Sequence, residues 1–291
     1  MSLPSEFVDL SDVSDSVPLS ARSFISEVRL GYHVSNGSWK PWCSSVQQLV
    51  KHSPVFYFTL GLGVGSLMRS LPVLSSLPSS ILNLKGYSTT GKTTLLQALV
   101  SLRANPSDMT WGFENVSTLK WFTVAAHHNF LAIDDLHMAI IPDDAVAVPA
   151  PLSYFQWLDQ NAPPNCTLIT TSVPSIDLLQ KKRMPFTFEI DAGHYPIWPV
   201  ADGMDPWWMD AHLSVLRSNF GQAYDKIQHS LVTNTDVWSD MASDLLKRYP
   251  KDLNPAQRGF FVLSKLGHQW LREHAFVEGD AGIHDVLLKS I

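Results

Sequence analysis

The segment Gly86-Tyr87-Ser88-Thr89-Thr90-Gly91-Lys92-Thr93-Thr94, "GYSTTGKTT", follows the apolar run "SSILNLK" and leads into "LLQALVSL", whose apolar spacing is helical. Glycine, four residues, then Gly-Lys-Thr between a strand and a helix permits few architectures. The strand needs a sheet, and the turn must leave it at the edge where the helix begins. Glycines at 86 and 91 let backbone amides curl around phosphate groups. Lys92 then meets the β- and γ-phosphates, and the Thr93 hydroxyl ligates Mg²⁺. The segment therefore predicts a phosphate loop for ATP, with all nine residues in the cradle. A chance run of small polar residues is the alternative, and the flanking strand and helix argue against it.

A phosphate loop needs an acidic partner. "NFLAIDDL" supplies one at the end of a second apolar run: Asp134 is the expected magnesium-side acid, and Asp135 is placed to polarise an attacking water. The pair also reads as a helix cap, although capping does not account for the apolar run before it. "NCTLITTS" is rich in β-formers, and in ring ATPases a polar residue at the tip of the strand beside the acidic strand contacts the γ-phosphate or the water. Thr171 is the candidate, with Thr170 and Ser172 as neighbours in an open register. Ordinary strand threonines are the competing reading. In "LQKKRMPFTFEID", Arg183 can reach a γ-phosphate in its own or a neighbouring subunit, and Lys181 and Lys182 can touch a nucleic-acid backbone. A solvated basic turn explains the same charges.

Around these motifs the chain alternates. "ILNLKG", "NFLAIDD", "CTLITTS" and "FTFEID" read as strands, and 91–103, 116–127 and 152–160 as helices, which indicates an α/β parallel sheet with helices on its faces. Pro54 opens a helix over 54–71 whose glycines let neighbours approach closely. Before it, "SNGS" signals a turn between short strands, and "SSVQQLVKH" a helix with a serine cap. From about 205 the text is all helical. The expected division is 1–53 as an acidic lead and small extension, 54–204 as the P-loop ATPase core, and 205–291 as a helical C-terminal subdomain separable from the sheet.

With 291 residues, 45% hydrophobic and 16% charged, the chain reads as a folded, soluble protein. The run "VFYFTLGLGVGSLM" is too short for a membrane span, the acidic N-terminus is no secretory signal, and Cys43 and Cys166 match no metal spacing. A cytoplasmic protein with reduced thiols and no membrane partner is expected. Net charge −6 argues against a broad nucleic-acid-binding face, so any such contact is local.

The order of these pieces resembles a known family. "FYFTLGLGVGSLMRSL", "GYSTTGKTTLLQAL", "TWGFENVSTLKWFTVAAHHNFLAIDD", "RSNFGQAYDKIQHSL" and "AQRGFFVLSKLGHQWL", spanning about residues 50–276, resemble the domain of unknown function 927. That family comprises ATPases and helicases of phages and mobile genetic elements, related to AAA+ enzymes such as the minichromosome maintenance helicases. The resemblance implies an AAA+-like P-loop NTPase, Gly86, Gly91, Lys92 and Thr93 as its nucleotide loop, Asp134 and Asp135 as its acidic motif, and Thr171 on its sensor strand. The family usually carries Asp-Glu where this chain has Asp-Asp, and a shorter second acid alters the geometry around the water. Superfamily three viral helicases are similar too: they share "TGKT", an acidic pair, a "TSN"-like sensor, and an arginine before a Phe-x-Phe strand. Ser172 and Val173 stand near where that family has asparagine.

The implied function is a Mg²⁺-dependent, ring-forming ATPase, hexameric, that acts as a DNA helicase or nucleic-acid-remodelling motor, with a replication or element-encoded partner. A nucleotide-switched adaptor that oligomerises without translocating is the alternative. His127 and His128 read as packing and surface rather than ligands, and Trp198, Trp207 and Trp208 as a core lid or subunit contact rather than base-stacking residues. Arg258 reads equally as a second nucleotide sensor or a surface ion-pair member.

Overall fold

Pro54 opens the helix around which the rest is built. The computed structural model describes residues 35–87, 89–106, 130–134, 167–172, 187–198, 207–250, 252–279 and 282–289. The expected helices at 116–127 and 152–160 lie outside them, as does Cys166.

The first two helices are α1 (Trp39–His52) and α2 (Pro54–Leu67). Ser53 caps α2, its hydroxyl accepting the Phe56 N–H at 2.9 Å, and Pro54 occupies the first turn, where a missing N–H costs nothing. Every residue from Val55 to Leu67 is buried. A helix apolar on all sides must be enclosed on all sides.

Helix α1 differs from expectation. It begins at Trp39, well before "SSVQQLVKH", and the side chain of Ser38, at its N-cap, makes no capping bond. Its length follows from a buried stripe of Trp42, Val46, Leu49 and Val50, spaced for one helical face, while Pro41 is tolerated in the first turn. "SNGS" does not join two strands. Asn36 instead forms an isolated antiparallel bridge with Phe220, and Gly37 turns the chain at φ +75°.

The described strands are β1 (Ser80–Lys85), β2 (Phe130–Ile133), β3 (Thr167–Ser172) and β4 (Thr187–Asp191), all parallel, in the order β2-β3-β1-β4. Lys85 pairs with both Ser172 and Asp191, and Ile133 with Thr170, so the C-terminal ends of all four strands lie at one level. Helix α3 (Lys92–Val100) leaves from the end of β1.

Five helices follow: α4 (Trp208–Ser218), α5 (Gln222–Thr233), α6 (Thr235–Arg248), α7 (Pro255–Trp270), which runs into a π-helical turn over Leu271–Ala275, and α8 (Gly282–Lys289). They share one apolar core with the sheet and the first helices. Phe260 of α7 stacks on Phe188 of β4 with ring centres 3.9 Å apart. The amides of Gly221 and Tyr224 donate to the Ser101 and Leu102 carbonyls at 2.9 and 3.0 Å, so the start of α5 caps the end of α3. Helices α2 and α7 pass at backbone contact. A Cβ on Gly65 would lie 1.8 Å from the Leu263 carbonyl oxygen, and one on Gly267 would lie 1.8 Å from that of Gly61.

Two buried histidines make the fold sensitive to acid. His268 donates from Nε2 to the Tyr57 carbonyl at 2.9 Å and stacks on the Tyr57 ring, while its Nδ1 has no hydrogen-bond partner among the described residues. His284 lies 2.8 Å from the Tyr249 hydroxyl through Nε2. Burial pushes both rings down from 6.5 to about 4. The unfolded chain therefore binds protons that the folded one refuses. Stability is complete above pH 6.5 and falls as pH drops towards 4, each ring costing on the order of 3 kcal/mol at full titration. Denaturant titrations from pH 7 to 4.5 should show this loss. His268→Gln, which keeps a donor for Tyr57, should flatten the slope by about one proton's worth, roughly 1.4 kcal/mol per pH unit.

Candidate functional site

At the end of β1 the chain turns through a tight loop. The Gly86 N–H donates to the Ser172 carbonyl at 3.0 Å, which ties the start of the loop to the end of β3. Thr89 takes φ +73° and Gly91 φ +81° before α3 begins at Lys92. A β-branched residue in the left-handed region is held there only by its surroundings, and such backbone marks ligand-clamping loops. The Thr90 hydroxyl donates to the Tyr87 carbonyl at 3.0 Å. Lys92, 6% exposed, sends its ammonium back over the loop, donating to the carbonyls of Gly86 at 2.7 Å and Tyr87 at 2.8 Å. Thr93 is exposed and Thr94 half-buried in the first turn of α3, and Tyr87 projects outward, 83% exposed. The predicted loop residues thus form one strand-loop-helix corner, except Ser88, which lies outside the described residues. A helix N-terminus with a lysine at its first residue is suited to a polyphosphate.

Two strands away, Asp134 stands immediately beyond β2. It is 7% exposed, and its Oδ1 accepts the Thr171 hydroxyl at 2.5 Å. Thr171 is fully buried. The pleat settles the open register: Thr171 shares a face with Asp134, while Thr170 and Ser172 turn to the opposite face. There the Thr170 hydroxyl donates to Asn83 Oδ1 at 3.0 Å, and Asn83 Nδ2 donates to Ser172 Oγ at 2.9 Å and Glu189 Oε2 at 3.3 Å. Lys85 continues this polar lattice between Glu189 and Asp191 at 3.2 and 3.1 Å. Burial alone lowers Lys85, but its bonds to the two carboxylates outweigh that and hold the ammonium above its ordinary range. The Gly193 N–H, and next Lys85, keep the Asp191 carboxyl below its usual range.

The buried Asp134 carboxylate, which accepts the Thr171 hydroxyl, and the exposed Thr93 in the first turn of the loop helix are hard-oxygen donors of the kind Mg²⁺ takes. Asp134 and Thr93 are the residues that can hold it. Asp135, Arg183, Lys181, Lys182, His127 and His128 lie outside the described residues.

Trp198 packs half-buried against the core beside Phe56 and also reaches the loop. Its indole Nε1–H donates to the Gly91 carbonyl at 3.0 Å. Nothing periodic in "HYPIWPV" announces this, because the partner lies 107 residues away in sequence. Trp208 packs edge-on between His52 and His212, and Trp207 is exposed. The Arg258 guanidinium donates to the Pro250 and Leu253 carbonyls. Among the described residues no helix is long and apolar enough to cross a membrane.

Comparison with known proteins agrees on the fold. The sequence profile of a family described as Domain of unknown function (DUF927) matches residues 7–116, a stretch that contains the loop from Gly86 to Gly91 and stops before β2. No curated protein matches. Among solved structures the chain is similar to "SCCmec type IV Cch - active helicase", with a TM-score of 0.69 at 13% identity, covering 89% of this chain and 51% of that one. The chain thus spans about half the length of that helicase. At this identity the likeness is one of fold: an α/β architecture built on a small parallel sheet with packed helices.

Proposed function

We propose that the chain is a Mg²⁺-dependent AAA+-type P-loop ATPase that assembles as a ring, hexameric, and couples ATP hydrolysis to moving or remodelling DNA for a phage or mobile genetic element. The observation that carries this reading is the shared sheet edge. Parallel strands in the order β2-β3-β1 bring the phosphate loop, the Thr171 hydroxyl and the buried Asp134 to their C-terminal ends, where ligands bind in open α/β sheets. The fold shared with a protein named an active helicase adds support.

In this reading the loop amides and Lys92 bind the β- and γ-phosphates. Thr93 and Asp134 would hold Mg²⁺, which would supply positive charge against the phosphate oxygens. Asp135 orients the attacking water, and Arg183, from the same or a neighbouring subunit, meets the γ-phosphate. Thr171 acts through Asp134, fixing the carboxylate it donates to. Thr171→Val keeps the shape and removes the donor. It should lower ATP turnover roughly 10- to 100-fold, with Thr171→Ser recovering most of it, in a steady-state ATPase assay.

A nucleotide-switched adaptor is the second reading, favoured by the net charge of −6. Mass photometry with and without Mg-ATP, followed by unwinding of a forked duplex, separates the two. ATP-dependent rings that open the fork support the motor. Rings with neither strand separation nor DNA-stimulated hydrolysis favour the adaptor, and a chain that stays monomeric with ATP sinks both.

A further inference from the structure

We propose that Trp198 is a positioning residue for the phosphate loop, acting through the Gly91 carbonyl; this rests on the nucleotide reading above. Both loop glycines are closed off by the segment that follows β4. A Cβ on Gly86 would lie 2.9 Å from Cβ of Ala192, and one on Gly91 would lie 2.1 Å from Cδ1 of Trp198. The segment turns back tightly, with the Ala192 amide donating to the Lys85 carbonyl at 2.7 Å and the amides of His194 and Tyr195 to the Asp191 carbonyl. Its far end is anchored where the Trp198 ring packs 5.5 Å from that of Phe56 in α2.

The Gly91 carbonyl accepts two hydrogen bonds, from the Leu95 amide at 3.0 Å as the first bond of α3 and from the Trp198 indole at 3.0 Å. With both bonds made, the plane of the peptide joining Gly91 to Lys92 is fixed. That peptide is trans, so its N–H points opposite to its carbonyl. Holding the oxygen on the Trp198 side turns the Lys92 amide to the other side, where a phosphate oxygen is to be met. The indole thus sets the aim of a backbone donor without touching the ligand, and it replaces the side chain that Gly91 lacks.

Trp198→Phe keeps an aromatic ring and removes the Nε1 donor. Isothermal titration of Mg-ATP and Mg-ADP into the wild type, Trp198→Phe and Lys92→Ala tests the assignment. Trp198→Phe should weaken both nucleotides by the same factor, roughly 2- to 12-fold, the worth of one net hydrogen bond, in a protein that melts within about 3 °C of the wild type. Wild-type affinity in Trp198→Phe, with binding lost in Lys92→Ala, overturns this proposal alone. No binding by the wild type overturns the nucleotide reading and this inference with it. Should Trp198→Phe not fold, Trp198→Tyr, which fills more of the indole volume and equally lacks that donor, is titrated in its place with the same outcomes.

Discussion

Lys92→Ala should abolish ATP binding and leave the protein folded. The lysine is the first residue of α3, and its ammonium sits within 3 Å of two loop carbonyls, Gly86 at 2.7 Å and Tyr87 at 2.8 Å. Those contacts place a positive charge over a loop whose amides already favour an anion. Removing it takes away the side-chain cation of that corner and at least two charge-assisted bonds to phosphate oxygens. At about 1.5–3 kcal/mol for each such bond, affinity should fall by more than about 100-fold. The fold should survive, because of the two carbonyls left behind only that of Gly86 is buried, and the part-buried one of Tyr87 lies beside an exposed side chain where water can replace the ammonium. Calorimetry decides: an alanine variant that binds ATP as the wild type does would remove the phosphate-loop assignment.

The largest stability loss is expected at the crossing of α2 and α7. Gly65→Ala and Gly267→Ala each drive a methyl group to 1.8 Å from a carbonyl oxygen of the opposite helix, and backbone cannot swing aside as a side chain can. The helices would have to part, opening the core between them. A cost above about 4 kcal/mol is expected, enough to unfold many proteins of this size. Gly259→Ala on the same helix is the control. Its Cβ would meet the Leu77 side chain, the methyls at 3.2 Å and the Cβ at 3.4 Å; the methyls can give way and alanine favours the helix, so its change should stay within about 1 kcal/mol. Urea unfolding followed by circular dichroism reads all three. Equal midpoints for Gly65→Ala and Gly259→Ala would contradict the packing.

The features legible in the sequence were those fixed by neighbours along the chain. Gly91 at φ +81° before Lys92, and Ser53-Pro54 at the start of α2, are local turn and cap chemistry, and they announce a loop and a helix wherever they occur. The apolar run before Asp134 announced its strand in the same way. What escaped depends on partners far away. Trp39 and Trp42 begin α1 because their rings find Trp270 and Ser101. Thr171 is distinguished from Thr170 only by the pleat that faces it towards Asp134, and Trp198 joins the site through Gly91. The alternating polar residues of three strands, Asn83, Thr170, Ser172 and Glu189, were a signal left unread: buried polar groups at matched positions across a sheet satisfy one another.

The glycine contacts between α2 and α7 also have a mechanical side. Helices separated by a layer of side chains can slide by repacking, but two backbones in contact have no such layer to shear, so α2 and α7 must move as one rod. Just past the end of α2, the buried Arg69 grips the Leu77 and Pro78 carbonyls, immediately ahead of β1, and the Thr167 hydroxyl at the foot of β3. A force on α7 is therefore passed through α2 to the base of β1 and β3, neighbours in the described sheet, whose other ends carry the Gly86–Gly91 loop and Thr171. The molecule has a lever there where a hinge would have been easier to build.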